Sequence, residues 1–271
     1  MGFLFVDRIT ALDDESASGE LEVPPGWGLP AWLVIEAVGQ LAGWIAIARS
    51  EFRSRPVAAL VGDVRVGVLE PSACAATRVA LRARIERFDG RAILYSGMAA
   101  CGDATLAVVL RCVGPLLPVD VFDDPEALRA RLAALRAGGV RAVSAAVPAP
   151  ELSDITRGER GVSAVLHVPQ TAEFFRDHFP RRAVFPASLL ADAQNRIARL
   201  IASEALGVDV GRVRPAAVRD FKIRAFSEPG QTLELHAELV EAQEAVASVK
   251  MSASTEGSRT ATGRLDYRIA P

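Results

Sequence analysis

"EFFRDHFPRRAVFPASLLADAQ" (Glu173 to Gln194) places one histidine, His178, fourteen positions before an acid, Asp192, with two prolines and an apolar run between them. Such a stretch is either a turn feeding a core helix or half of an acid–base site, and an earlier part of the chain bears on the choice. "PAWLVIEAVGQ" (Pro30 to Gln40) aligns without gaps with "PASLLADAQNR" (Pro186 to Arg196); both read Pro-Ala-x-Leu-x-x-acid-Ala, with Glu36 opposite Asp192. Further on, "VGDVRVGVLEP" (Val61 to Pro71) matches "VRDFKIRAFSEP" (Val218 to Pro229) with one insertion. The offset is 156 between Pro30 and Pro186 and 158 between Pro71 and Pro229, so the chain reads as two copies of one domain.

Each copy follows one plan. The first opens with an expected strand, "FLFVDRITAL", then a turn and a second strand, "GELEV". A helix starts near the proline, a residue suited to a helix's first turn. It is apolar nearly all round, which predicts burial. Alternating strands complete the unit: Leu233, Leu235, Ala237 and Leu239 face one way, and Glu234, His236 and Glu238 the other. The implied fold is α+β, one buried helix wrapped by an antiparallel sheet in each copy. Between the copies, "DDPEALRARLAALRAGG" (Asp123 to Gly139) is a helix with an Asp-Asp-Pro-Glu start and a Gly-Gly stop, followed by a small-residue linker near residues 140 to 152. The expected division is 1–118, a helical linker 119–150, and 151–271.

The bulk numbers limit the function classes. With 271 residues, 50% hydrophobic and 24% charged, the chain can bury a large core. A net charge of −2 argues against a nucleic-acid surface spread over the whole molecule. The 3 cysteines, Cys74, Cys101 and Cys112, follow no metal or disulfide pattern, and a reduced cytoplasmic setting is expected. The run Leu29 to Ala48 approaches membrane-spanning length but carries Pro30, Glu36 and Gln40, so a buried soluble helix is expected. No nucleotide or metal motif is present.

The sequence of features Asp177-His178-Phe179-Pro180, Pro186 and Asp192 resembles the 3-hydroxyacyl-acyl-carrier-protein dehydratases (FabA/FabZ-like), whose fold is the hotdog. "FLFVDRITALD" and "KIRAFSEPGQTLEL" resemble strand segments of the same family, so the chain is similar to a double hotdog. In that family, paired hotdogs build sites across their interface, with a histidine from one unit and an acid from the other. Carried over, the resemblance implies one complete site from His178 and Glu36, with Gln40, one turn along, orienting Glu36. It also implies a vestigial site holding Asp192, since "LEVPPGWGLP" has no histidine and Glu22 stands fourteen before Glu36.

The implied reaction is loss of water from a 3-hydroxyacyl thioester, giving the trans-2-enoyl product without a cofactor. The substrate is carried on the phosphopantetheine of a carrier protein, or is an acyl-CoA. Histidine suits the base role and a desolvated carboxyl the acid role. Phe179, Pro186, Ala187 and Ser188 are the expected substrate contacts, with the helix start after Pro186 facing the thioester oxygen. The family has glycine where Ala187 and Ala31 stand here, so an added methyl is expected to narrow the oxyanion position or tilt the substrate. Arg181, Arg182, Lys222 and Arg224 are expected carrier-protein docking residues, or simply a solvated charged face. Other readings remain for single residues: a turn histidine satisfied by Asp177 or the backbone, a structural Glu36, and ordinary sheet positions for His167 and His236. Three other functions remain as well: a non-catalytic hotdog subunit, a double-bond isomerase, and a thioesterase that needs Glu36 but not His178. Assembly as a homo-oligomer or with a hotdog partner is compatible with all of them.

Overall fold

In the computed structural model, residues 3–23, 30–67, 78–140, 147 and 149–270 are described. Cys74, residues 24–29 of the stretch "LEVPPGWGLP" and most of the linker stretch (141–146 and 148) lie outside these residues. The first half contains β1 (Arg8–Leu12), β2 (Ser16–Glu22), α1 (Ala31–Arg49), β3 (Ser54–Pro56), β4 (Leu60–Val66), β5 (Arg78–Phe88), β6 (Ala92–Cys101) and β7 (Ala104–Pro118). The connecting segment forms α2 (Pro125–Ala137). The second half contains β8 (Leu152–Arg157), β9 (Gly161–His167), a single turn α3 (Phe175–His178), α4 (Ala187–Leu206), β10 (Val213–Ile223), β11 (Thr232–Gln243), β12 (Val246–Thr255) and β13 (Ser258–Ile269).

The strands join into one antiparallel sheet with the order β1-β2-β5-β6-β7-β4-β10-β13-β12-β11-β9-β8, and β3 pairs separately with β7. The order is the same read inward from either end, as expected of two copies of one unit related by a twofold. The seam shows why. Val61 pairs with Phe221 and Val64 with Val218 across β4 and β10. With the repeat offset of 157 between Val61 and Val218, Phe221 is the counterpart of Val64, so each strand meets its own copy in a self-complementary register. This is a double hotdog, with α1 packed on β2, β5, β6 and β7, α4 packed on β9 to β13, and the two helices touching each other.

Local chemistry fixes the elements. Pro30 and Pro186 serve as N-caps of α1 and α4, one position before the expected first helical turn. Asp124 caps α2, accepting from the backbone N–H of Glu126 at 2.9 Å and of Ala127 at 3.2 Å. α1 has the length and apolarity of a bilayer-spanning helix, yet 72% of its most apolar window is buried inside the protein. Leu41 and Ile45 are fully buried, each contributing about 1.5–3 kcal/mol of hydrophobic stabilisation.

The first strand differs from expectation. Pairing starts at Arg8, not Phe3, because the polar partners of residues 3 to 5 lie elsewhere: the Phe5 N–H donates to Gln40 Oε1 at 2.8 Å and the Phe3 N–H to Asp177 Oδ2 at 3.3 Å. The chain's start thus crosses the space between the two halves instead of extending the sheet.

Close approach of α1 to the sheet needs Gly97 on β6. A Cβ there would stand 2.5 Å from Val38 Cγ1 and 2.4 Å from the Arg82 carbonyl oxygen. Gly97→Val is therefore expected to lower stability by about 1–3 kcal/mol in urea unfolding. An unchanged midpoint would show that α1 does not rest on this strand.

Candidate active site

His178 is positioned by a tight loop. α3 is a single turn, closed by the His178 N–H donating to the Phe174 carbonyl at 2.9 Å. The chain then doubles back, and the His178 ring Nδ1 lies 3.1 Å from the Val184 carbonyl oxygen. A carbonyl can only accept, so Nδ1 carries the proton and Nε2 keeps its lone pair. The backbone, not Asp177, is therefore the histidine's partner. Phe3 meets the imidazole edge to face at 5.2 Å, and the Phe179 ring lies 4.1 Å away. Burial, reinforced by the positive charge of Arg55, pushes the His178 pKa down to about 3, against the opposing pull of its bond to Val184. At neutral pH the ring is uncharged.

Glu36 comes from the other half, on α1. Gln40 Nε2 donates to Glu36 Oε1 at 3.0 Å and to the Phe3 carbonyl at 3.1 Å. Because Gln40 Oε1 is occupied by the Phe5 N–H, its amide has one orientation, with the NH2 group toward Glu36. Burial raises the Glu36 pKa above its ordinary value, and Gln40, Ser188 and Arg55 partly offset this. Among the described residues, Ser188 Oγ finds no hydrogen-bond partner of standard geometry, although it lies near enough to the Glu36 carboxyl to influence it.

Both side chains line one cavity of about 440 Å³. Ala187 and Ser188, at the start of α4, belong to the same wall, and their N–H groups have no carbonyl within the helix to bond. Phe179 also lines the cavity, whereas Pro186 does not; it caps α4. Along α1, Gly39, Gly43 and Ile47 continue the wall beyond Glu36. With a rise of about 1.5 Å per residue, the lined face from Glu36 to Ile47 runs about 16 Å.

The remaining expected residues lie elsewhere. Asp192 is outside this cavity, half-buried near Arg196 and Arg199, with its pKa raised by burial. Arg181 lines the cavity mouth but is paired with Asp124 at 2.6 Å. Arg182 lies 3.8 Å from Glu228 and stacks on Phe226. Lys222 and Arg224 are exposed at the end of β10. His167 and His236 are exposed sheet residues.

Three wall residues escaped sequence reasoning: Arg55, Asp123 and Tyr95. Arg55 pairs with Asp123 and donates to the His178 carbonyl at 3.0 Å. Burial holds the Tyr95 phenol well above its ordinary pKa, with Cys112 and Glu36 adding to the effect. None of the three lies in a repeated or periodic pattern that would mark it.

Comparison with known proteins separates the halves. The family model described as "FabA-like domain" matches residues 151–264. A 3-hydroxyacyl-[acyl-carrier-protein] dehydratase FabZ of Novosphingobium aromaticivorans is 35% identical over 111 residues, spanning 38% of this chain and 70% of that protein. The FabZ of Rickettsia felis is 26% identical over 118 residues, spanning 43% of this chain and 79% of that protein. Over nearly the whole chain, the fold is similar to a putative oleoyl thioesterase of Lactobacillus plantarum (TM-score 0.60, 12% identity, 94% of this chain and 97% of that one). It is similar also to a tesB protein of Mycobacterium avium subs paratuberculosis (TM-score 0.57, 12% identity, 97% and 96%). At such identities these two structures carry the fold alone.

Burying Glu36 has a consequence for stability. Its folded pKa stands above the ordinary 4.5 of the unfolded chain, so the stability gained by its protonation is complete below 4.5 and is lost as pH rises through the folded value. Glu36→Gln removes the charging penalty while keeping an acceptor for Gln40. Its melting temperature is expected to exceed the wild type's at pH 8, with the gap closing by pH 4. An equal or lower melting temperature at pH 8 would mean that the carboxylate is well solvated.

Proposed function

The chain belongs to the FabA/FabZ-like hotdog family, and on that premise we propose that it eliminates water from a 3-hydroxyacyl thioester to give the trans-2-enoyl thioester. The observation that carries the reading is one cavity walled by a neutral histidine with a free Nε2 from one half and a buried carboxyl of raised pKa from the other. His178 Nε2 takes the C2 proton of the substrate. Glu36, protonated, gives its proton to the departing C3 hydroxyl, which leaves as water while the C2–C3 double bond forms. The imidazolium proton then passes to the Glu36 carboxylate and resets the site. The thioester oxygen gains charge during proton abstraction, and the N–H groups of Ala187 and Ser188 are placed to receive it. Gln40 holds the carboxyl.

The groove along Gly39 and Gly43 takes the acyl chain, and the rim at Arg181 faces the carrier. We assign the substrate to an acyl carrier protein, whose phosphopantetheine arm reaches the cavity, with docking shared by Arg182, Lys222 and Arg224. No cofactor takes part in the chemistry. Polyketide-type or fatty-acid chains are equally served by an apolar groove.

The test is turnover of a 3-hydroxyacyl carrier-protein thioester, read by mass spectrometry. Loss of one water by the wild type is expected, falling at least about a hundredfold in His178→Ala and in Glu36→Gln, the lower end of the range for loss of a positioned acid or base. Hydrolysis that survives His178→Ala but not Glu36→Gln would instead indicate a thioesterase, and a shifted double bond without water loss an isomerase. No turnover on any chain length would leave a binding subunit. A second expectation concerns pH. With the His178 pKa near 3, kcat/KM should not fall on acidification from pH 7 to pH 5.5, whereas it is lost as pH rises through the raised pKa of Glu36. A decline through pH 6.5 on acidification would contradict the neutral, buried ring.

A further inference from the structure

The loop that carries His178 is held from outside its own repeat. Arg55, on β3 of the first half, makes three contacts at once: it pairs with Asp123 of the connecting segment, donates from Nη2 to the His178 carbonyl at 3.0 Å, and lays its guanidinium 4.3 Å over the Phe179 ring. Its side chain is 17% exposed and that of Asp123 only 7%. An ion pair so deeply placed is costly unless its hydrogen bonds are satisfied, and here the planar fork of arginine divides them between a carboxylate and a carbonyl. The ring of Phe179 is closed on its other side by Phe122, 4.7 Å away, in a small apolar cluster with Val57 and Val184. That cluster draws residues from the first half, the connecting segment and the second half. Val184 is also the residue whose carbonyl fixes the imidazole.

We propose that Arg55, braced by Asp123, is a positioning residue: it clamps the His178–Phe179 backbone from the opposite repeat, and so holds the imidazole against Val184 in the form that presents a bare Nε2. Lysine cannot replace it, because an ammonium lacks the flat fork that meets carboxylate, carbonyl and ring together. The catalytic consequence rests on the proposed dehydration, whereas the state of the imidazole does not.

Two readouts on the full chain separate these. Histidine 15N spectra at pH 7, with the His178 signal assigned by its absence in His178→Ala, report the ring tautomer directly. The wild type is expected to show a pure Nδ1–H ring, and Arg55→Met a mixture, as the loop relaxes. In kinetics, Arg55→Met, Arg55→Lys and Asp123→Asn are each expected to lower kcat about tenfold to a hundredfold with KM changed less than about threefold, as for a small misplacement of a reacting group. Circular dichroism melting identifies any variant that has not folded, and Arg55→Lys, which keeps the charge, serves in place of Arg55→Met if the latter does not fold. A pure Nδ1–H ring in the folded variant overturns the proposal whatever the turnover, and so does an unchanged kcat. If the wild type itself does not eliminate water, the ring spectra alone decide, and it is the dehydratase reading that fails.

Discussion

Everything at the proposed site depends on the self-pairing of β4 with β10. Neither half holds both a histidine and a helix acid on the cavity wall: the first has Glu36 and no equivalent of His178, and the second has His178 while its own helix acid, Asp192, lies away from the cavity. A register in which each seam strand meets its own copy sets α1 and α4 against each other. Side chains 142 residues apart in the sequence thereby reach one wall. A one-residue slip at the seam would turn Val64 and Val218 out of the core, so the hydrophobic pattern of the sheet also protects the site.

The same twofold explains why the halves could diverge. Where the proposed composite site does the work, the polar residues of its mate are free to serve packing. Asp192 has become a half-buried acid near Arg196 and Arg199, and the neighbouring Tyr267 hydroxyl donates to Asn195 Oδ1 at 3.0 Å inside the core. Meanwhile the start of the chain gave up strand pairing at residues 3 to 5 to brace Gln40 and cover the imidazole. The connecting segment contributes at the mouth, where Asp123 and Asp124 bind Arg55 and Arg181.

Legibility followed periodicity. The alternation in β11, the nearly all-round apolar α1 and the capped α2 are local patterns, and each is visible in the sequence because burial and capping leave local signatures. The repeat offset carried the tandem architecture, and the His-Phe-Pro element with Glu36 and Gln40 marked residues that the fold brings to one cavity, the two ends of the proposed site. Long-range polar contacts leave no such trace. Arg55 lies in an ordinary run of arginines and serines, and only the folded seam brings it to the His178 carbonyl. Residues 3 to 5 are apolar enough to pass for a strand, yet the side chains of Gln40 and Asp177 capture their backbone. Arg181 reads as a free surface cation, while its partner, Asp124, stands 57 residues away.

The central claim is one composite site per chain, and titration calorimetry with a trans-2-enoyl pantetheine thioester, the chemistry of the proposed product without a carrier, tests it most directly. The account predicts one binding event per chain, weakened at least tenfold when bulk fills the shared cavity by Ala187→Phe. Two equivalent events per chain, or one that Ala187→Phe leaves untouched, would contradict it and place binding at the pseudo-symmetric position or elsewhere.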